Sequence, residues 1–316
     1  MTNVLRGAIL LIGSTCVSVA SGGAPMGLPM GTVDEGQWTI GGQFGRETAD
    51  LEGSDTFDAT YVGDGGTVTE LQFDEQLEIQ DLASNMLFVS FAYGILDGWD
   101  VFGRLGLLSR GAVDVLDRRV GLLDDRSDLV ECAQCFLDRV GPHSSGALDG
   151  SFGFAWGAGT RATFWQQGPW SLGGLGQFTW FNPGDSDLSY TDPILEPLGG
   201  TYVGEASLDY WQAQVSLALI YQADAWSFWG GPFVQFLEGE IERSGDILYD
   251  DLGVLDDGGD FSGTTDVEQD SQFGGHLGVG VDVAEQWNVW LEGQFTGDSW
   301  LIGIGAVFVP ADAFDL

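Results

Sequence analysis

Between residues 208 and 309 the chain repeats one pattern. A stretch of about ten alternating residues leads into a very short turn, a second alternating stretch, and then a longer acidic connection or another turn. In residues 208–223, Trp211, Ala213, Val215, Leu217, Leu219 and Tyr221 alternate with Gln212, Gln214, Ser216, Ala218, Ile220 and Gln222. A period of two with one apolar face predicts a strand, since a helix repeats near 3.6. The same period predicts strands over 37–45, 86–95, 99–109, 151–165, 170–181, 208–223, 226–237, 272–283, 287–296 and 300–309. One face of 86–95 holds Leu87, Val89, Phe91, Tyr93 and Ile95. One face of 151–165 holds Phe152, Phe154, Trp156, Ala158, Ala162 and Phe164, with Thr160 its single polar member.

The connections alternate in length. Asp97-Gly98, Gln167-Gly168-Pro169, Asp224 and Glu285-Gln286 predict tight hairpins. The connections after the first, third, fifth and seventh strands run to roughly 20–40 residues, with bounds good to a few residues. Only the last of that series, Gly297-Asp298-Ser299, is short. Residues 56–62 and 67–73 flank Gly63-Asp64-Gly65-Gly66 and are polar on both faces. They predict a hairpin rising above the rim; if they crossed the membrane, ten strands would become twelve.

Aromatics cap the apolar face at both ends, as lipid-facing strands do between two interfacial girdles. No apolar run after the N-terminus reaches about 18 residues, so no helical span is expected. The fold class predicted is all-β, an up-and-down antiparallel transmembrane β-barrel of about ten strands. Its long loops are extracellular and its short turns periplasmic. An even strand number places both chain ends at the short-turn side.

Composition refines this. The chain has 316 residues, with 50 Gly, 12 Trp and 20 Phe, and the glycines follow no collagen-like period. Mean hydropathy is only +0.06, which alternation explains. All 10 basic residues are Arg, and the formal charge is −38. Such a charge excludes nucleic acid as a partner. It favours solvated acidic loops, or divalent cations between those loops and anionic headgroups.

Arg6, the small and apolar run 8–19, and Ser18-Val19-Ala20 predict a secretory signal over 1–20. Residues 21–35 then read as an N-terminal periplasmic segment, 36–309 as the barrel and 310–316 as a C-terminal tail. In an exported chain, Cys132 and Cys135 are expected to form a local loop disulfide. A zinc site would want four ligands, and His143 is the only nearby third.

Residues 38–45 and 151–309 resemble the bacterial outer-membrane β-barrel proteins. The final strand alternates and carries Phe308, as the assembly signal of that class does, although the tail 310–316 runs past the final aromatic. The resemblance implies outer-membrane localisation, with outer-membrane lipid and the barrel-assembly machinery as partners.

If the aromatic faces meet lipid, the opposite faces point inward. They hold Arg104, Arg161, Gln177, Gln214, Gln235, His276, Asp282, Glu292 and Gln294 among many glycines. Both arginines are expected to pair with Asp282 and Glu292 and fill the tube. Ten strands enclose little more than the eight-strand size that side chains fill, so a plugged or narrow lumen is expected. His276 is weighed as a catalyst, with Ser271 five residues earlier, but no Ser-centred signature accompanies it. No cofactor is expected. Residues 246–270 pack nine acids, among which Asp250, Asp251, Asp256, Asp257 and Asp260 are weak candidates for Ca²⁺, without the spacing of an EF-hand loop. The function read from these features is non-enzymatic, either structural or a narrow passive cation-preferring pore. The competing readings are a lipid-modifying barrel enzyme and a secreted β-sandwich adhesin.

Overall fold

The computed structural model describes residues 24–63, 67–110, 115–122, 145–148, 152–191, 200–249, 259–269 and 272–310. They form β1 (Trp38–Gly63), β2 (Thr67–Leu96), β3 (Trp99–Arg110), β4 (Val115–Leu122), β5 (Ser145–Leu148), β6 (Phe152–Gln167) and β7 (Trp170–Asn182). Then follow β8 (Asp185–Thr191), β9 (Gly200–Ala223), β10 (Trp226–Tyr249), β11 (Gly259–Glu268), β12 (Phe273–Ala284), β13 (Trp287–Phe295) and β14 (Ser299–Phe308).

Ten of these strands close a ring of antiparallel pairs. The order is β1, β2, β3, β6, β7, β9, β10, β12, β13 and β14, which returns to β1. Closure runs from Ile40 opposite Phe308 to Ala49 opposite Ser299. A closed ladder leaves no backbone edge, and no other sheet arrangement is tolerated in hydrocarbon. The tight turns fall where the sequence puts them. Gly98 and Gly168 take positive φ, 72° and 58°, and Asp224 takes φ 49°. The first two are glycines because a side chain there would be strained.

The strand faces also follow the alternation. Phe152, Phe154, Trp156 and Phe164 are exposed on β6, whereas Ala155 and Gly157 between them are buried. Leu105 on β3 is 71 % exposed and Phe152 on the adjacent β6 84 %. Exposed apolar side chains of this size on every strand of the ring have no place in water. Aromatics gather at two levels. Near the short turns lie Trp99, Trp170, Trp226 and Trp287, with Trp170 against Tyr221 at 4.8 Å and Trp287 against Phe308 at 5.1 Å. At the other end lie Trp156, Phe178 and Trp211, with centroids 5.9 Å apart in each successive pair. Between Trp99 and Leu107, β3 supplies the about 9–11 residues that a tilted strand needs to cross a bilayer.

Beyond the far girdle the structure departs from a barrel topped by loops. β1 and β2 stay paired out to Gly63 opposite Thr67, forming the hairpin expected above the rim. β9 and β10 likewise continue to Gly200 opposite Tyr249. Parts of the long connections become strands on these extensions. β4 pairs with β2, β8 with β9, and β5 with β8. β11 pairs on one side with β10 and on the other with β1. One strand therefore stands above the three strands β12, β13 and β14, and the wall narrows there. The sequence analysis places these segments in the long connections. Their backbone amides still need partners, and continuing the ladder supplies them.

Candidate functional site

The lumen is occupied by the chain's own N-terminal segment. Glu35 bridges to Gly94 beside the short turn between β2 and β3, and Gly36 N donates to Gly94 O at 2.9 Å. From that end, residues 24–33 climb into the ring, and all except Thr32 are buried. Thr32 N donates to Asp100 Oδ2 at 2.9 Å. Higher up, the segment meets β7 and β9, and then β13, β14 and β1. This corrects the expectation that residues 21–35 form a periplasmic segment. The described part of it lies inside the barrel, because a short apolar run with prolines fills the tube better than it solvates.

Polar recognition is concentrated on residues 24–27 and falls on their main chain. Ala24 N donates to Gln212 Oε1 at 2.8 Å. Ala24 O accepts from Gln177 Nε2 at 3.1 Å and from Gln294 Nε2 at 3.3 Å. Pro25 O accepts from Arg104 Nη1 at 2.7 Å. Met26 N and Gly27 N donate to the two oxygens of Glu292 at 2.6 and 2.8 Å. Buried amides and charges persist only when bonded in this way.

Apolar packing holds the rest. Leu28 and Met30 join Ala218, Ile220, Trp229 and Trp290 in one buried cluster. Met26 joins Leu175 and Phe233, with Phe102 alongside. Gly27 takes φ +70° directly over the Trp290 ring, which lies 3.4 Å from where its Cβ would stand. At Gly31 a Cβ would overlap the Gly98 carbonyl and approach Trp99 N to 2.7 Å. Gly31→Val should therefore unseat the segment while leaving the ring intact. In planar bilayers it should raise mean conductance above that of the unaltered protein, and an unchanged trace would contradict the close approach.

The structure brings most of the expected lumen residues together. Gln177, Gln214, Gln235 and Gln294 are buried on inward faces and bond in series. Gln177 Nε2 donates to Gln214 Oε1. Gln214 Nε2 donates to Gln235 Oε1 at 2.8 Å and to Gln294 Oε1 at 3.1 Å. Gln235 Nε2 reaches Gln269 Oε1 at 2.7 Å. His276 is 3 % exposed and edge-on to Phe233, with ring centroids 6.2 Å apart.

The expected charge pairing is corrected. Arg161 Nε pairs with Asp100 Oδ1 at 2.9 Å. Arg104 donates to Thr179 Oγ1 as well as to Pro25 O, and stacks over Phe88. The segment stands between Arg104 and Glu292 and bonds both. Asp282 is exposed near the short turn before β13 and accepts from Asn288 Nδ2 at 2.8 Å. It is too close to the open end to serve a mid-lumen arginine.

The signal region 1–20, the CxxC of Cys132 and Cys135, His143, and Ser271 all lie outside the described residues. So do Asp250, Asp251, Asp256 and Asp257. Asp260 is exposed on β11 opposite Asp246. Among the described residues, no three metal-ligating side chains gather.

Sequence reasoning missed Asp100, Thr179, Gln212, Gln269 and the segment itself. Gln212 sits on the same face of β9 as Gln214, so the alternation contained it. The segment left a fainter sign in Ala24-Pro25-Met26-Gly27-Leu28-Pro29-Met30, which is uncharged, apolar, and too rich in Pro and Gly for a strand or helix.

No family model matches the chain, and no curated protein does. Among solved structures it is similar to the outer-membrane protein OprG from Pseudomonas aeruginosa, at 15 % identity over 89 % of this chain and 98 % of that one, with a TM-score of 0.38. It is also similar to the outer-membrane protease OmpT from Escherichia coli, at 10 % identity over 86 % and 97 %, with a TM-score of 0.36. The toluene transporter TodX of Pseudomonas putida is similar at 12 % identity over 85 % and 89 %, with a TM-score of 0.32. At these levels the likeness assigns no activity or ligand to the chain.

Proposed function

We propose that the chain is a non-enzymatic β-barrel of the bacterial outer membrane whose narrow lumen is closed by its own residues 24–33. The observation that carries this reading is the seating of that segment, bonded to β3, β7, β9 and β13 around the ring. The apolar outer belt supports the membrane placement. His276 supports the non-enzymatic part. It is buried within the wall, and neither ring nitrogen is hydrogen-bonded to a hydroxyl or carboxylate among the described residues. When the segment withdraws, the lumen becomes a narrow passive pore. Its entrance stands in the field of a chain of charge −38. The extended wall adds exposed Glu238, Glu240, Asp266 and Glu268, so cations are favoured there.

Planar-bilayer recording tests this. The unaltered protein should be nearly silent. Met26→Pro combined with Gly27→Pro removes both N–H groups that Glu292 holds, and should give a steady conductance. Its weak cation preference should fade near 1 M salt, where the screening length is about 3 Å. A large, steady, anion-selective current through the unaltered protein would overturn both the closure and the preference.

A further inference from the structure

We infer that the wall around residues 24–27 is a main-chain recognition site that, once the segment has left, takes a short zwitterionic peptide from solution. This rests on the closure proposed above and names the ligand class of the same lumen.

The wall reads only what every peptide has. Five main-chain groups of residues 24–27 are bonded by wall side chains. The side chains of Ala24, Pro25, Met26 and Gly27 carry no classical donor or acceptor, so these contacts depend on the backbone alone. The two charged members divide the work. Arg104 on β3 binds a carbonyl oxygen, and Glu292 on β13 binds two adjacent N–H groups with both of its oxygens, as an ionised carboxylate does. Pro25 O and Met26 N belong to one planar trans peptide group, so Arg104 and Glu292 grip it from opposite sides. A guanidinium on one wall and a carboxylate on another match a carboxylate at one end of a ligand and an ammonium at the other.

Spare capacity points the same way. Gln212 Nε2, Gln177 Oε1 and Arg104 Nε have no hydrogen-bond partner among the described residues, yet all three side chains are at least nine-tenths buried. Gln212 and Gln177 bond Ala24 through their other amide atom. Their unused atoms therefore sit beside the segment's first described residue. A buried polar group without a partner is costly. A free dipeptide has termini that the continuous segment lacks at this level, so it brings more donors and acceptors to these atoms.

The test uses the Met26→Pro, Gly27→Pro variant in planar bilayers, with glycylglycine as the probe. Glycylglycine should block the current in a concentration-dependent way. N-acetylglycine, which lacks the ammonium, and glycinamide, which lacks the carboxylate, should each block about tenfold more weakly. Replacing Glu292 by Gln should remove the advantage of glycylglycine over N-acetylglycine while leaving its advantage over glycinamide. A conducting variant blocked equally by all three compounds, or by none, would overturn this inference alone. A variant no more conductive than the unaltered protein would overturn the closure and this inference with it. The compound series requires no change in the wall, so a Glu292 variant that failed to assemble would still leave a decision.

Discussion

Ala158→Arg should destabilise the inserted barrel by about 2–4 kcal/mol, the cost of an arginine facing lipid near the bilayer midplane. Ala158 is exposed on the outer face of β6. Its ring neighbours are Gly103 on β3 and Phe178 on β7. Along the β3–β6 ladder it lies between Ala162, opposite Trp99 in the lower girdle, and Phe154, opposite Leu107 toward the upper one. That position is as far from either interface as β6 offers. A guanidinium there must snorkel past an aromatic girdle or drag water inward. Gln167→Arg is the matched control, because Gln167 ends β6 at the short turn. The cost should fall there to about 0–1 kcal/mol. Denaturant titration of both variants folded into lipid vesicles measures the difference. Equal midpoints would mean that Ala158 does not meet lipid.

Trp290→Ala should cost about 3–5 kcal/mol, the range for removing a large buried ring from a packed interior. Trp290 is 3 % exposed on the inner face of β13. It lies beneath Gly27 and against Gly305, where a Cβ would overlap the indole. The two glycines leave a slot that only a large flat side chain fills, so little can collapse into the void. Part of the loss belongs to the segment. Repeating the substitution with Met26→Pro and Gly27→Pro in place should therefore give a smaller cost, and the difference measures the coupling of ring and segment. A Trp290→Ala variant as stable as the unaltered protein would show that the lumen is loosely filled. The same variant should also leak current, since its ring supports the seat of the segment.

Much of the barrel was legible because a half-buried strand writes its environment with a period of two. The outer face of β6 was named residue by residue from Phe152 to Phe164, and the hairpins at Asp97-Gly98 and Asp224 from their turn chemistry. The extensions of β1, β2, β9 and β10 were only partly legible. Above the lipid the outer face meets water while the inner face still buries Ala206, Leu208 and Ile241, so the apolar outer face that marks the lipid-crossing parts ends there. Only the glycine-rich turn at 63–66 betrayed one of these hairpins. The strand role of β11 left no local sign, because it depends on two edges supplied by β1 and β10.

The inner wall divides in the same way. Its members, Arg104, Gln177, Gln214, Gln235, Glu292 and Gln294, followed from parity, since whatever opposes a lipid-facing residue must point inward. Their partners did not follow. Parity assigns a side but neither height nor azimuth, so Asp282 looked as available to an arginine as Asp100. The occupant of the lumen was least legible of all. Residues 24–33 lie outside every strand and carry no periodicity. Their place is set by main-chain hydrogen bonds to residues 68 to 270 positions away, distances that only ring closure makes short. By itself the sequence determined an antiparallel barrel of about ten strands, its lipid face and its polar interior, because each is a local consequence of alternation and turn chemistry. Only the tertiary structure decided that the chain fills its own lumen, because that outcome depends on the shape of a cavity that no segment encodes alone.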